Sequence, residues 1–442
     1  MKAMRIKSNN YLVFPRVFPC NKDCQITITP LGELAKFDDH KTYTVKIISK
    51  EIYSSSRLEN TFPFEVFNVT PKNGKLSFNY CFETEQEWAL VLLSPDGEEQ
   101  RLCWALYSLE KDLYTRTPYK GDFHVHSCCS DGADTPGMVA ANYRKAGFDF
   151  LALTDHYQWK PSDDLINLYR NLPIDLKLFH GEEVHPYDII HIVNFGGNRG
   201  VTDLYRSEEE KNRAMLEKEA ENIKDRLPEG INAMDYVYRK WVTDQIRACG
   251  GMPILAHPCW ILPSHEYNMN LKMVDFDFYN HLCDAYEILG GQTVLENNLQ
   301  VAIYHEQRAM GRKIPIVGSS DSHGTDPARW FNQAKTVVFS NDCELQSICD
   351  SIRELYSVAV ETMPGEDFRV HGILRLVRYG SFLINNYFPH HDALCFEEGC
   401  LMREWLSGDL NAETSLAHLQ GRTTAYARQF FGRDLRVPII GA

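Results

Sequence analysis

The sequence predicts an α/β chain: a seven-stranded (β/α) barrel preceded by a small β-sandwich-like domain, with a helical insertion and a helical C-terminal segment. Three observations predict it. Up to residue 118, short β-branched and aromatic runs are separated only by turn signals. From Tyr119, seven apolar runs alternate with helix-like stretches. Several of those apolar runs stop at clusters of His, Asp or Glu.

Residues 1–118 contain the strand-like runs TYTVKIIS, FPFEVFNV, KLSFNYCFE and WALVLLS. Turn signals such as Pro71-Lys72-Asn73-Gly74 and Ser94-Pro95-Asp96-Gly97 punctuate them. Short strands at close spacing suggest a sandwich, and the segment holds no acid/base cluster. Residues 119–364 carry the barrel strands GDFHVH, FDFLALTDH, LKLFHGEEV, IIHIVNFGG, MPILAHP, DAYEILGG and IPIVGSSDSH. Between several of them lie helical patterns such as TPGMVAANYRKAG and NLQVAIYHEQRAMG. A charged stretch at about 203–248 reads as an inserted helical subdomain whose charges form a solvated face. Residues 365–442 read as a helical cap, with apolar residues at helical spacing through GILRLVRYGSFLINNYF.

The whole-chain properties narrow the function. A length of 442 residues favours two or three domains. A formal net charge of -14 argues against a nucleic-acid binder held by phosphate contacts, which needs a basic face. No apolar run is long enough to span a bilayer, and the N-terminus lacks the apolar core of a signal peptide. Thirteen cysteines, an odd number without a dense framework, suggest reduced thiols, so a cytoplasmic protein is expected.

The chemistry resides in the strand ends. His124 and His126 are two apart on one strand, so both face the same side, and Asp131 follows in a Ser-Asp-Gly turn. Later runs end in Thr154-Asp155-His156, Gly181-Glu182-Glu183-Val184, His191, His257, and Asp321 with His323. Each is a weak signal alone. A barrel gathers such ends into one cavity, and burying so many ionisable groups together is unfavourable unless cations compensate them.

This ordered set resembles the polymerase-and-histidinol-phosphatase (PHP) family, over about residues 119–340. The resemblance implies a distorted seven-stranded (β/α) barrel holding two or three divalent ions, Mn, Fe or Zn. It implies nine ligands: His124, His126, Asp131, His156, Glu183, His191, His257, Asp321 and His323. Glu183 is expected to bridge two ions, with its neighbour Glu182 as the alternative. The β-rich start resembles a branch that includes carbamate- and ester-hydrolase relatives.

The expected activity is a metal-dependent phosphoesterase that attacks a small phosphorylated metabolite or nucleotide through a metal-bridging hydroxide. The same ions would serve a carbamate, carboxylic-ester or amide hydrolase, and a binding module with a vestigial site is the third alternative. His191 or His257 is a candidate to protonate the leaving group, and Asp155 either orients His156 or caps a turn. Arg329, Arg199 and Tyr157 are candidate substrate contacts. The expected partner is a small anionic molecule, with no nucleic-acid polymer and no membrane. Oligomeric state is not legible.

Overall fold

The computed structural model describes residues 8–33, 35–51, 64–93, 102–185 and 191–434. The chain divides into two compact units. Among the described residues, one comprises 8–117, 378–391 and 421–434; the other comprises 118–377 and 392–420.

In the first unit, a three-stranded antiparallel sheet runs in the order Tyr11–Phe14, Asp23–Pro30, Leu76–Cys81. A five-stranded sheet runs Val17–Pro19, Leu102–Leu109, Gln86–Leu93, Tyr43–Ser49, Phe64–Val69. Burial alternates along Tyr43–Ser49, as a strand with one core face requires. Ile26, Ile28 and Leu76 of the small sheet share a core with Val45, Ile47, Leu90 and Leu106 of the larger one. The Pro71–Gly74 signal becomes a tight turn in which Asn73 and Gly74 both take positive φ and Lys72 and Lys75 pair. The Ser94–Gly97 signal lies outside the described residues.

The second unit contains a six-stranded sheet, in the order Lys177–Phe179, Phe150–Ala152, Thr117–Asp122, Ala334–Ser340, Ser357–Glu361, Arg369–His371. A five-stranded sheet runs Gly181–Val184, Ile192–Phe195, Met252–Leu255, Ala285–Leu289, Ile316–Gly318. Both face one core: Phe123, Phe150 and Val338 meet Val193, Ile254 and Val317. Single bridges, His156 to Glu183 and Val125 to Ser322, stitch the sheets together at the strand ends.

This is a mixed α/β architecture, and its ladders differ from a ring of seven parallel strands. Gly181–Val184 pairs antiparallel with Ile192–Phe195, which pairs antiparallel with Met252–Leu255. The physical reason is connection length. Seven residues between Val184 and Ile192 cannot hold the crossover helix that parallel pairing needs. Ile192–Phe195 is thereby the reversed strand, so Met252–Leu255 runs against it even though three helices lie between them, whereas across Leu271–Tyr279 and Val294–Ala309 the flanking strands pair parallel.

The insertion forms the helices Val201–Ser207, Glu209–Ile223 and Ala233–Ala248. Glu209–Ile223 buries only Leu216 and Ala220, so its charge run is a solvated face. The C-terminal helices Leu374–Asn386, Phe388–Leu406, Ala412–Leu419 and Arg422–Phe431 are shared between the two units rather than forming a body of their own. Among the described residues, no helix is long and apolar enough to cross a membrane.

Candidate metal centre

The first histidines lie just beyond the Thr117–Asp122 strand. Val125 points into the core, which sends His124 and His126 to the opposite side, and all three are fully buried. The segment is fixed by its backbone: Val125 N donates to Thr154 Oγ1 (2.9 Å) and His126 N donates to the Ser322 carbonyl (2.9 Å). Beneath it, Asp122 accepts from His124 N (3.2 Å), Ser320 N (3.1 Å) and the Tyr143 hydroxyl (3.2 Å). Burial pushes the Asp122 carboxyl up to about 7 despite those bonds.

Glu183 is the hub. Its carboxylate has ring nitrogens of five histidines within 3.6 Å: His156 and His191 at 2.6 Å, His124 and His257 at 3.3 Å, and His126 at 3.6 Å. Asp321 faces it from the Ile316–Gly318 strand end, 3.0 Å from His126 Nε2, 3.3 Å from His124 Nε2 and 3.8 Å from His257 Nε2. Asp321 takes a left-handed backbone, φ 49°, a conformation that aspartate tolerates and that concentrates at functional sites.

A second group adjoins the hub. Asp131 lies 3.5 Å from His156 Nε2 and 3.4 Å from His323 Nε2, and His126 stacks on His323 with ring centroids 4.3 Å apart. The turn that presents Asp131 needs Gly132, because a Cβ there would stand 2.7 Å from the His126 carbonyl oxygen. Burial alone would raise the Asp131 carboxyl, but His156 and His323 hold it far below the usual range.

The electrostatics fit a cation site. Burial opposes charge on His124, yet Asp321, Glu183 and Glu287 raise its pKa well above the ordinary value. His156 is pushed up to about 10 against burial, by Asp131 and Glu183. Burial would raise Glu183, but His124 and His191 hold it well below the carboxylate range. Protons on these imidazoles thus supply positive charge that a divalent ion would otherwise supply. The buried atoms His124 Nε2, Glu183 Oε2 and His257 Nδ1 make no well-aligned hydrogen bond, although the first two lie 3.3 Å apart and His156 Nδ1 stands 2.6 Å from Glu183 Oε2. A cation between such donors would satisfy buried lone pairs that hydrogen bonds leave unmet.

Among the described residues, the donor atoms form overlapping sets: His124, His126 and Glu183; His126, Asp131, His156 and His323; and His124, His257 and Glu287. Asp131, His156, His191, His257, Asp321 and His323 line a cavity of about 920 Å³ together with Trp260, Gln292, Arg329 and Trp330.

No family model matches the chain. The DNA polymerase/3'-5' exonuclease PolX of Bacillus subtilis is 34% identical over 82 residues, 18% of this chain and 14% of that protein. A two-domain protein from Bacteroides vulgatus, described as containing a predicted PHP-like metal-dependent phosphoesterase, aligns with a TM-score of 0.39 at 17% identity, over 55% of this chain and 65% of its own. A protein from Bifidobacterium adolescentis, provisionally assigned as a metal-dependent phosphoesterase, aligns with a TM-score of 0.35 at 17% identity, over 53% of this chain and 94% of its own. An amidohydrolase from Chromobacterium violaceum aligns with a TM-score of 0.29 at 17% identity, over 46% of this chain and 87% of its own. The chain thus spans less than two thirds of PolX and of the B. vulgatus protein, and each likeness is partial.

All nine residues expected as ligands converge on this centre. Glu182 does not: it is buried on the other side, accepting from Val201 N (3.1 Å), Thr202 N (2.8 Å) and Thr202 Oγ1 (2.8 Å) at the start of a helix. Asp155 faces the loop rather than the cavity, accepting from Ser127 N, Ser127 Oγ and Ser130 Oγ at 2.7 Å each. It is therefore a positioning residue, holding the segment that leads to Asp131. Arg329 is exposed, lines the cavity and donates to the His323 carbonyl (3.2 Å). Arg199 is exposed in the loop after Ile192–Phe195 and is not among the cavity-lining residues. Tyr157 packs its ring on His185, centroids 3.7 Å apart, and supports the centre from behind.

Glu287 escaped the sequence reading. It is fully buried, touches His124 Nδ1 (3.2 Å) and accepts from His257 N (3.0 Å). Its signal was a lone carboxylate inside the apolar run AYEIL, costly unless paired. His185 also joins the centre, standing 2.8 Å from His156 Nδ1 and stacking on His191 at 4.6 Å.

Proposed function

We propose that the chain is a metal-dependent phosphoesterase of the PHP type, its two large sheets forming a distorted version of that family's barrel. The observation that carries this is the Glu183 carboxylate with five imidazole nitrogens within 3.6 Å. A single carboxylate so surrounded suits two cations sharing one bridging ligand. His124, His126 and Asp321 would hold one ion with Glu183, His191 and His257 another, and Asp131, His156 and His323 a third. Bound cations would supply charge to polarise the ester and to acidify the attacking water.

The chain's own side chains do the rest. Glu287 holds His124 Nδ1 and leaves Nε2 facing Glu183 and Asp321. Asp155 holds the loop that presents Asp131. Arg329, at the rim, offers a guanidinium fork to the non-bridging oxygens of a phosphate. His191 and His257 both line the cavity, and whichever of them a bound ion left free would pass a proton to a departing alkoxide. The preferred substrate is a small anionic molecule rather than a nucleic-acid polymer, because the chain carries a net charge of -14. An odd count of thirteen cysteines without a dense framework supports a reducing compartment such as the cytoplasm.

The test is a panel of phosphomonoesters, phosphodiesters, aryl carbamates and carboxylic esters, assayed with manganese and after chelation. Metal-dependent turnover of phosphate esters is the expected result. Turnover confined to carbamates or carboxylic esters would overturn it.

A further inference from the structure

Two indoles border the cavity at opposite ends of the histidine cluster. Trp260 packs edge-on against His191 and His257, with ring centroids 5.5 and 5.8 Å away. Trp330 packs edge-on against His323 at 5.7 Å. Both line the same cavity of about 920 Å³, a volume suited to a whole small molecule rather than a phosphate group alone.

The chain goes to some length to keep Trp330 there. Its backbone is left-handed, φ 63°, which a bulky side chain rarely adopts. The ring rests where a Cβ on Gly291 would intrude, 2.9 Å from Trp330 Cε3. The short turn Pro327–Arg329 that delivers it is capped by Asp326, whose carboxylate accepts from Ala328 N. For all this, the indole remains 38% exposed. A strained backbone that holds a large apolar ring open to a cavity is poor packing but good preorganisation for a ligand.

Most polar groups beside the indoles are already engaged. Glu296 accepts from Thr293 N, Thr293 Oγ1 and Ile261 N, and Gln333 donates to the Pro327 carbonyl. Gln292 donates to Asp321 Oδ2 (3.4 Å) and keeps its Oε1 open as one acceptor, while Ile261 and Met363 are apolar. A sugar placed here would leave most of its hydroxyls unpaired, whereas an aromatic ring needs only the faces and edges that the indoles offer.

We propose that the cavity recognises phosphate esters whose alcohol half carries an aromatic ring, held by Trp260 and Trp330 while the phosphate faces the histidine cluster and Arg329. This rests on the phosphoesterase reading. Hydrolysis would break the P–O bond to the alcohol, form a P–O bond from water, and pass one water proton to the departing alkoxide.

The experiment compares benzyl phosphate with cyclohexylmethyl phosphate on the manganese-loaded protein. Both leave as primary alkoxides of similar basicity, so a difference reports the ring. Glucose 6-phosphate is the polyol control. In parallel, saturation-transfer NMR with benzyl alcohol on the metal-free protein reads ring binding without turnover. The expected result is a preference of about 10-fold in kcat/KM for the benzyl ester, expressed mainly in KM. Trp260→Leu and Trp330→Leu should each reduce that preference to about 3-fold or less, and Trp330→Leu should abolish saturation transfer to the ring. The inference is overturned if the benzyl and cyclohexylmethyl esters perform alike, if glucose 6-phosphate matches the benzyl ester, or if neither Trp variant alters the preference. If no ester is hydrolysed while benzyl alcohol binds in a Trp330-dependent way, the phosphoesterase reading falls and the aromatic subsite stands.

Discussion

Replacing Glu183 with glutamine keeps the shape of the hub and removes its charge. Five imidazole nitrogens lie within 3.6 Å of that carboxylate, and it is fully buried. At an effective dielectric near 20, opposite unit charges about 3 Å apart attract by about 5 kcal/mol, and much of that offsets desolvation. Removing one partner of such a buried pair costs about 3–5 kcal/mol, so the metal-free Glu183→Gln protein should unfold at markedly lower denaturant concentration. Manganese affinity should suffer more. Loss of an outer partner typically weakens a metal site 10–100-fold, and loss of a direct carboxylate should weaken it about 1,000-fold, or ~4 kcal/mol. Calorimetric titration with manganese and ion counting by mass spectrometry read this directly. Glu182→Gln is the control, because that side chain faces a helix start and should leave affinity within about threefold. Manganese binding by Glu183→Gln within threefold of the parent, or an equal loss in both variants, would refute the assignment of the hub.

Three further outcomes follow from the structure. Burial pushes the Glu182 carboxyl from the ordinary 4.5 up to about 7. The unfolded chain therefore loses this proton first as pH rises, and stability falls across that window by about 3 kcal/mol. In metal-free protein, denaturant titrations should show a flatter pH slope for Glu182→Gln between those two values, and an unchanged slope would contradict the burial argument. Asp155→Asn should weaken manganese binding about 10–100-fold by loosening the Ser127–Ser130 loop, while every direct ligand remains; calorimetry checks this, and unaltered affinity would remove its positioning role. Arg144 and Glu398, 2.7 Å apart and almost fully buried, should couple strongly. Glu398→Ala should cost about 3–5 kcal/mol, and the apolar pair Arg144→Met with Glu398→Leu should recover most of it, as measured by a double-mutant cycle in urea.

Much of the candidate site was legible in the residue pattern alone. His124-x-His126 on a strand forces both rings to one side, whatever the rest of the fold, because side chains alternate along an extended backbone. The apolar runs ending in His, Asp or Glu identified nine residues that the structure brings to one centre, since ionisable groups at strand ends are the ones a core can leave open to a cavity. The alternating pattern of Tyr43–Ser49 and the turn at Asn73-Gly74 were likewise local facts. Tertiary structure decided what local pattern leaves degenerate. Glu182 and Glu183 differ by one position, and only the pairing of Gly181–Val184 with Ile192–Phe195 sends one to a helix start and the other into the histidines. Antiparallel pairing through the short link after Val184 replaced the regular barrel ladder, because chain length, not hydrophobicity, fixes strand direction there. Glu287 and Trp330 entered the site from distant segments whose own patterns were those of an ordinary strand and loop. Such residues are defined by what faces them across the cavity, and that is information the chain acquires only when it folds.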